Sequence, residues 1–359
     1  MLFSSASFGT LTLPNRLVRS ATAERMADSH GRPTEAMIRL YRRLARGGVG
    51  LIISGHMYVH PSGKCHPEMT GIYSDDLIPD LKKLAQAVHD EGGKLVAQIN
   101  HGGMQCSTEA VDETVAPSAI SADFLKQPAR ELTVEEIDAL IGAFAHAARR
   151  AKQAGFDGVQ LHAAHGYLIN QFHSPFVNRR QDEWGGRLEN RARFLIRVCR
   201  AVREQVDADY PVLVKFGIRD GLDDGLSAEE GVQIVSMMAS MALDGVEISG
   251  GVKSSSVKKG VRNLDEEAYF LPLARRAAAA TDLPIITVGG YRSRDVIERA
   301  LAEEGIDFVA LCRPLIHDPE FTRKLAAGQV ERSGCISANN CWAEEPGVGI
   351  ACKCPLDED

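Results

Sequence analysis

Residues His162-Ala163-Ala164-His165-Gly166-Tyr167 follow an apolar run, Gly158-Val159-Gln160-Leu161. Two imidazoles and a phenol are thus gathered where a strand gives way to a loop. Imidazoles can grip an electron-rich oxygen, and a phenol can deliver a proton. Strands that end in polar side chains are how barrel enzymes assemble their sites. Side chains alternate along a strand, so Gln160 and His162 share one face and Val159 and Leu161 the other. If the apolar pair packs under helices, His162 points into a barrel mouth. A lone histidine in such a place is usually a satisfied core residue; three chemistry-bearing side chains at one strand end favour function.

Other polar residues interrupt apolar runs. Lys215 lies in Val212-Leu213-Val214-Lys215-Phe216. Facing inward, it needs an anionic partner or must lose its charge. Gln98, in Val96-Ala97-Gln98-Ile99, is a similar interruption. Gly289 and Gly290 follow one strand, and Cys312 and Arg313 follow the next. Glycines let backbone approach a phosphate and Arg supplies charge. The loop Lys253-Ser254-Ser255-Ser256-Val257-Lys258-Lys259, with Arg262, is a local basic patch that could attract an anionic substrate. Near the C-terminus stand Cys335, Cys341, Cys352 and Cys354. Four such sulfurs can hold zinc or an iron–sulfur cluster. Their spacing, C-x5-C-x10-C-x-C, matches no common pattern, and unligated thiols are expected.

The elements that must carry these residues alternate. Strands are predicted at 16–20, 49–54, 94–99, 157–162, 211–216, 244–249, 284–288 and 307–311. Helical patterns lie between them. An amphipathic one covers 77–91 and stops at Gly92-Gly93. Thr133-Val134-Glu135-Glu136 is a capping box that opens a helix ending at Gly155, and Ser227-Ala228-Glu229-Glu230 repeats the signal. Ser293 is expected to cap a helix running to Glu304, with Gly305 just past its end. Eight β/α units could form an open doubly wound sheet, but their regularity favours a closed (β/α)8 TIM barrel, an α/β fold. The surplus length falls at 56–76, 101–132 and 166–192 and after 318, and long loops are where function is usually placed.

Bulk properties narrow the class. The chain has 359 residues, 44% hydrophobic and 25% charged, with a formal net charge of −7. No long basic block is present, so a nucleic-acid partner is not expected. No apolar run suits a bilayer span, so no membrane role is expected. The first residues, Met1-Leu2-Phe3-Ser4-Ser5, lack the pattern of a secretory leader. A cytoplasmic location, and thiols rather than a disulfide framework for the eight cysteines, are the expectation.

Taken together, these residues resemble the old yellow enzyme family of FMN-dependent oxidoreductases, and its NADH:flavin oxidoreductase / 2,4-dienoyl-CoA reductase branch in particular. The likeness is carried by Asn15-Arg16-Leu17-Val18-Arg19-Ser20-Ala21-Thr22, by Gln98-Ile99-Asn100-His101-Gly102-Gly103 and by Ala116-Pro117-Ser118-Ala119-Ile120. It runs on through 155–193, which holds the His-His-Tyr set and Asn178-Arg179-Arg180, to Arg313-Pro314-Leu315-Ile316. The resemblance implies an FMN-binding barrel over 1–328 followed by a Cys-rich tail over 329–359. It implies that Ala21, Thr22, Ala23 and Gly55 lie along the flavin and that Gln98 meets its pyrimidine edge. Lys215 takes the place of a common Arg at flavin N1 and O2. Gly289, Gly290, Cys312 and Arg313 would hold the phosphate. Ala23 stands where Thr or Cys is frequent, and Cys312 where Gly is usual.

By the same likeness, His162 and His165 would hold the carbonyl oxygen of an activated alkene and Tyr167 would protonate its α-carbon. NAD(P)H would supply the hydride. The substrate would be an α,β-unsaturated carbonyl compound, with enoyl or dienoyl thioesters as anionic examples, and the assembly a homo-oligomer. Dienoyl-CoA reductases bind a [4Fe–4S] cluster through a Cys-rich segment. Here Ala338 replaces a ligand Cys, Cys354 is a substitute ligand at best, and the branch's further flavin and nicotinamide domains are not expected after Asp359. Two other readings compete. One is a phosphate-binding barrel lyase or aldolase with Lys215 as Schiff-base nucleophile. The other is a flavin-binding electron-transfer subunit serving a partner.

Overall fold

The computed structural model describes residues 1–125, 127–252, 260–341 and 348–354. All eight predicted strands form: β1 (Leu17–Arg19), β2 (Leu51–Ile53), β3 (Leu95–Asn100), β4 (Gly158–Ala163), β5 (Val212–Gly217), β6 (Gly245–Ser249), β7 (Ile285–Val288) and β8 (Phe308–Leu311). Each pairs in parallel with the next, and β8 pairs with β1, so the sheet closes on itself. A helix of the outer ring follows each strand: α1 (Glu35–Arg46), α2 (Ile78–His89), α3 (Val134–Gln153), α4 (Leu188–Gln205), α5 (Ala228–Met238), α6 (Leu271–Ala278), α7 (Arg294–Leu301) and α8 (Phe321–Ala326); short helices at Leu168–His173 and Arg313–His317 precede α4 and α8. This is the (β/α)8 barrel that the alternation predicted. Among the described residues no helix is long and apolar enough to cross a membrane.

The strands begin later than the sequence reading placed them, for a physical reason. Asp157, Asp244 and Asp307 stand just before β4, β6 and β8, and each donates its backbone N–H to a carbonyl of the neighbouring strand, Leu95, Val212 or Ile285. The carboxylate of each also accepts the N–H of that same residue, the first of the preceding strand, at 2.8, 2.8 and 3.0 Å, where a further strand residue would have to offer a backbone carbonyl. Each Asp thereby closes the lower edge of a strand pair.

Both capping boxes are present, Thr133 with Glu136 and Ser227 with Glu230. Ser293 does stand at the N-cap position of α7, but its hydroxyl donates to Glu267 Oε1 at 2.7 Å and caps no helix N–H, and α7 stops at Leu301 rather than reaching Glu304. Gly305 does adopt a left-handed backbone, with φ +76°.

The barrel interior has two halves. At the bottom, a hairpin (Ala6–Phe8 with Leu11–Leu13) inserts Phe8, which stacks on Phe308 with ring centroids 4.1 Å apart. Gly245 makes room for it, since a Cβ there would lie 2.8 Å from the Phe8 ring. Leu13, Leu51, Leu213 and Ile286 complete this apolar plug. At the C-terminal ends of the strands the inward positions turn polar: Ser20, Gln98, Gln160, His162, Lys215 and Glu247, all buried. Val159 and Leu161 face the helices, as the alternation required.

Candidate active site

At the C-terminal mouth lies a cavity of about 580 Å³. Its walls include nine of the residues singled out from the sequence: Ala21, Thr22, Ala23, His165, Lys215, Gly289, Gly290, Cys312 and Arg313. Gln98, His162 and Tyr167 stand beside it, reached through the residues described next.

His162 is the next-to-last residue of β4 and is paired in register with Lys215 of β5. The Ala164 N–H donates to its Nδ1 at 3.4 Å, which leaves the proton on Nε2. His165 sits in a left-handed backbone conformation, φ +60°, that turns its ring back over the barrel. One of its nitrogens, Nε2, meets the Ser249 hydroxyl at 2.8 Å. The two imidazoles lie edge to face, 5.3 Å between centroids, and the Tyr167 ring is 4.7 Å from that of His162. Burial is the main cause that holds both imidazoles neutral. It drives the His162 pKa far down and the His165 pKa to about 3, with the Lys215 charge acting in the same direction. Burial also pushes the Tyr167 phenol up, so it keeps its proton. The set therefore offers N–H and O–H donors without charge.

Lys215 does find the anionic partner that its burial demanded. Its Nζ donates to Glu247 Oε1 at 3.0 Å and to Ser20 Oγ at 2.7 Å, and Ser20 Oγ donates in turn to the same carboxylate oxygen at 2.5 Å. Glu247 Oε2 accepts from Gln160 Nε2 at 3.0 Å, and Gln160 Oε1 accepts from Gln98 Nε2 at 2.7 Å. Gly55 is placed differently from its neighbours in the set. Its N–H donates to Tyr41 Oη at 2.9 Å, and a Cβ there would meet Glu24 Oε2 at 1.9 Å. The close approach of Glu24 thus requires glycine at this position.

Sequence reasoning missed Glu247, Ser249 and His56, and gave Gln160 no role although it put it on the face of His162. Glu247 could have been found by the argument used for Lys215, a polar side chain on the inward face of an apolar strand. His56 left no such signal, because it lies past the end of β2. Its ring is 5.1 Å from that of Tyr167 and 6.1 Å from that of His162. Asn100 Nδ2 donates to its Nδ1 at 2.9 Å.

At the far end of the cavity Gly289 and Gly290 have φ +126° and +80°. A Cβ on either would lie about 3 Å from the Tyr269 ring, so only glycine lets the backbone pass here. Cys312 Sγ meets Thr22 Oγ1 at 3.2 Å. Arg313 donates to Ser337 O at 3.2 Å and to Asn339 Oδ1 at 2.7 Å, so the tail forms part of the cavity wall. A cavity lined by the Lys215 cation, and elsewhere by positive-φ glycines and an arginine, fits a ring that bears carbonyls and ends in a phosphate.

The tail cysteines are free thiols. Cys352 Sγ is 3.4 Å from His317 Nδ1, and burial together with neighbouring thiols pushes Cys341 up to about 12. Among the described residues no three His, Cys, Asp or Glu side chains come together as a group that could hold a metal ion. The basic run at 253–259 lies outside the described residues. Arg262, beside it, donates its N–H to Glu266 Oε2 at 2.8 Å.

Residues 1–331 match the family model of the NADH:flavin oxidoreductase / NADH oxidase family. The chain is 39% identical to the NADH oxidase of Thermoanaerobacter brockii over 94% of its own length and 52% of that relative. Among solved structures it resembles a 2-naphthoyl-CoA reductase in complex with 2-naphthoyl-CoA, at 33% identity and a TM-score of 0.87, covering 94% of this chain and 53% of that one. It also resembles the old yellow enzyme homologue from Zymomonas mobilis, at 29% identity and a TM-score of 0.81, covering 94% and 95%. The chain thus spans about half the length of the first two and nearly all of the third.

Proposed function

Because the chain belongs to the NADH:flavin oxidoreductase / NADH oxidase family, we propose that it is an FMN-dependent oxidoreductase that takes hydride from NAD(P)H and reduces the C=C bond of α,β-unsaturated carbonyl compounds. The observation that carries this reading is the uncharged donor set: two neutral imidazoles and a protonated phenol, with the His165 and Tyr167 rings 5.3 and 4.7 Å from that of His162. FMN, when bound, supplies hydride transfer.

The chain's own residues do the rest. Lys215 and Gln98 would hold the carbonyl-bearing end of the ring, and Gly289, Gly290 and Arg313 the phosphate. His162, through its Nε2–H, and His165 donate to the substrate's carbonyl oxygen. Negative charge grows on that oxygen as the β-carbon accepts hydride, so donors fixed in a low-dielectric site favour the transition state over the ground state. Neutral imidazoles suit this role, because they bind the oxygen without a charge to be desolvated. Tyr167 then gives its proton to the α-carbon as general acid.

The liganded structure of the naphthoyl-CoA reductase supports thioesters as one substrate class to try. The lyase alternative is disfavoured by Lys215 itself: a Schiff-base nucleophile must be free to attack, and this Nζ is engaged by both Glu247 Oε1 and Ser20 Oγ.

The test is the anaerobic visible spectrum of the purified protein, followed by NADH or NADPH and then by an enone or an enoyl thioester. Flavin absorbance that bleaches with the nicotinamide and returns with the alkene is the expected result. Bleaching that only oxygen reverses would remove the alkene from the proposal, and a protein that takes up no FMN would remove all of it.

A further inference from the structure

The Lys215–Glu247 pair does more than bury a lysine. Glu247 is fully buried, and its two oxygens receive Ser20, Lys215 and Gln160. A carboxylate only accepts hydrogen bonds. That fixes the direction of every bond that leads away from it. Gln160 must present its amide N–H to Glu247, hence its carbonyl to Gln98. Gln98 must then use its N–H on Gln160, and its Oε1 is left with no protein partner among the described residues. On the other side, the carboxylate offsets the charge of Lys215 at 3.0 Å. One acceptor therefore sets both groups that the FMN reading assigns to the pyrimidine end: an amide turned to show its oxygen, and a lysine whose field is largely cancelled. A hydrophobic pair of similar volume would serve stability at least as well, because buried ion pairs seldom repay their desolvation.

Resting on that reading, we propose that Glu247 is a positioning residue that sets the reduction potential of the bound flavin. By neutralising Lys215 it withholds stabilisation from the negative charge that the ring takes on reduction, and so keeps the site a strong hydride donor. Through Gln160 it also holds Gln98 as an acceptor.

The test is the midpoint potential of the FMN-loaded protein, measured by equilibration with a reference dye, for wild type and for Glu247→Gln. Removal of the carboxylate charge should raise the potential by an amount that corresponds to at least tenfold tighter relative binding of reduced over oxidised FMN, about 30 mV for a two-electron couple. A potential that is unchanged or lower in a folded, FMN-loaded Glu247→Gln protein overturns the inference while the FMN reading stands. A wild-type protein that binds no FMN overturns both. Should Glu247→Gln fail to fold, Lys215→Met gives the converse test. It leaves the carboxylate without its cation, so the potential should fall, and one that holds or rises counts against the role. In the double variant Lys215→Met/Glu247→Gln the two shifts should largely cancel. A merely structural role for Glu247 predicts no such pattern.

Discussion

The two ends of this barrel are built from the same eight strands and the same alternation, yet their interiors are opposites. Below, Phe8, Leu13, Leu51, Leu213, Ile286 and Phe308 fill the space with hydrocarbon and need only the right volume. Above, Ser20, Gln98, Gln160, Lys215 and Glu247 form a hydrogen-bonded chain that leaves Gln98 Oε1 as its open end. A core gains nothing in stability from the second arrangement, because each buried polar group must be desolvated and then exactly compensated by a partner. Its presence at one end alone separates what holds the barrel together from what the barrel is for. Variants at the two ends should therefore fail in different ways.

The largest separation is expected at Tyr167. Tyr167→Phe removes one hydroxyl from the donor set and almost no packing. Alkene reduction should fall by ~10²–10⁴-fold, the usual worth of a general acid, while flavin reduction by NAD(P)H and the thermal midpoint change little. Stopped-flow measurement of the two half-reactions decides this. Equal loss in both would mean that the phenol orders the site rather than protonating the substrate. The lower end should give the mirror image. Phe8→Ala opens a cavity against Phe308 and should cost about 3–5 kcal/mol of stability, read from denaturant unfolding, with turnover of the remaining folded protein unchanged.

The contrast also explains what the sequence allowed to be read. The eight strands were legible because each is a short apolar run bounded by charged or turn-forming residues. Their first residues were not, because Asp157, Asp244 and Asp307 look like strand starts and act as acceptors for a neighbouring strand. His162, His165, Tyr167 and Lys215 stood out as polar residues at or near strand ends. Glu247 carried the same signal and was passed over, although Lys215 in an apolar strand required a partner of its kind. His56 and the grip of Asn339 on Arg313 depend on how loops return to the barrel mouth, which no local pattern encodes.

Acid should act on the upper end first. His56 and His165 are held neutral by burial with pKa values near 3, against about 6.5 in an unfolded chain. Between those values the unfolded state binds more protons, so stability falls as pH drops from about 6.5 toward 3. Each such histidine contributes a slope on the order of 1 kcal/mol per pH unit. His101 and His173, also buried with values about 3, add to it. Urea midpoints measured from pH 7.5 to 4.5 should decline, and the decline should be shallower in His56→Gln. A flat profile would mean that these imidazoles reach solvent in the native state.

The smallest effect tests whether the upper rim serves chemistry alone. Thr133 caps α3, accepting the Glu136 N–H at 3.2 Å, while Glu136 returns a bond to the Thr133 N–H at 2.8 Å and holds Arg130 with both carboxylate oxygens. This rim device touches none of the cavity residues. Thr133→Ala should cost ~1 kcal/mol of stability and leave alkene and nicotinamide kinetics as they were. The result would place a stability determinant at the polar end, so the division would run between the barrel's inside and its outer ring there, not between top and bottom as such. If instead turnover fell along with stability, α3 would have to position the loop that precedes it, and the 101–132 segment would join the catalytic end of the comparison.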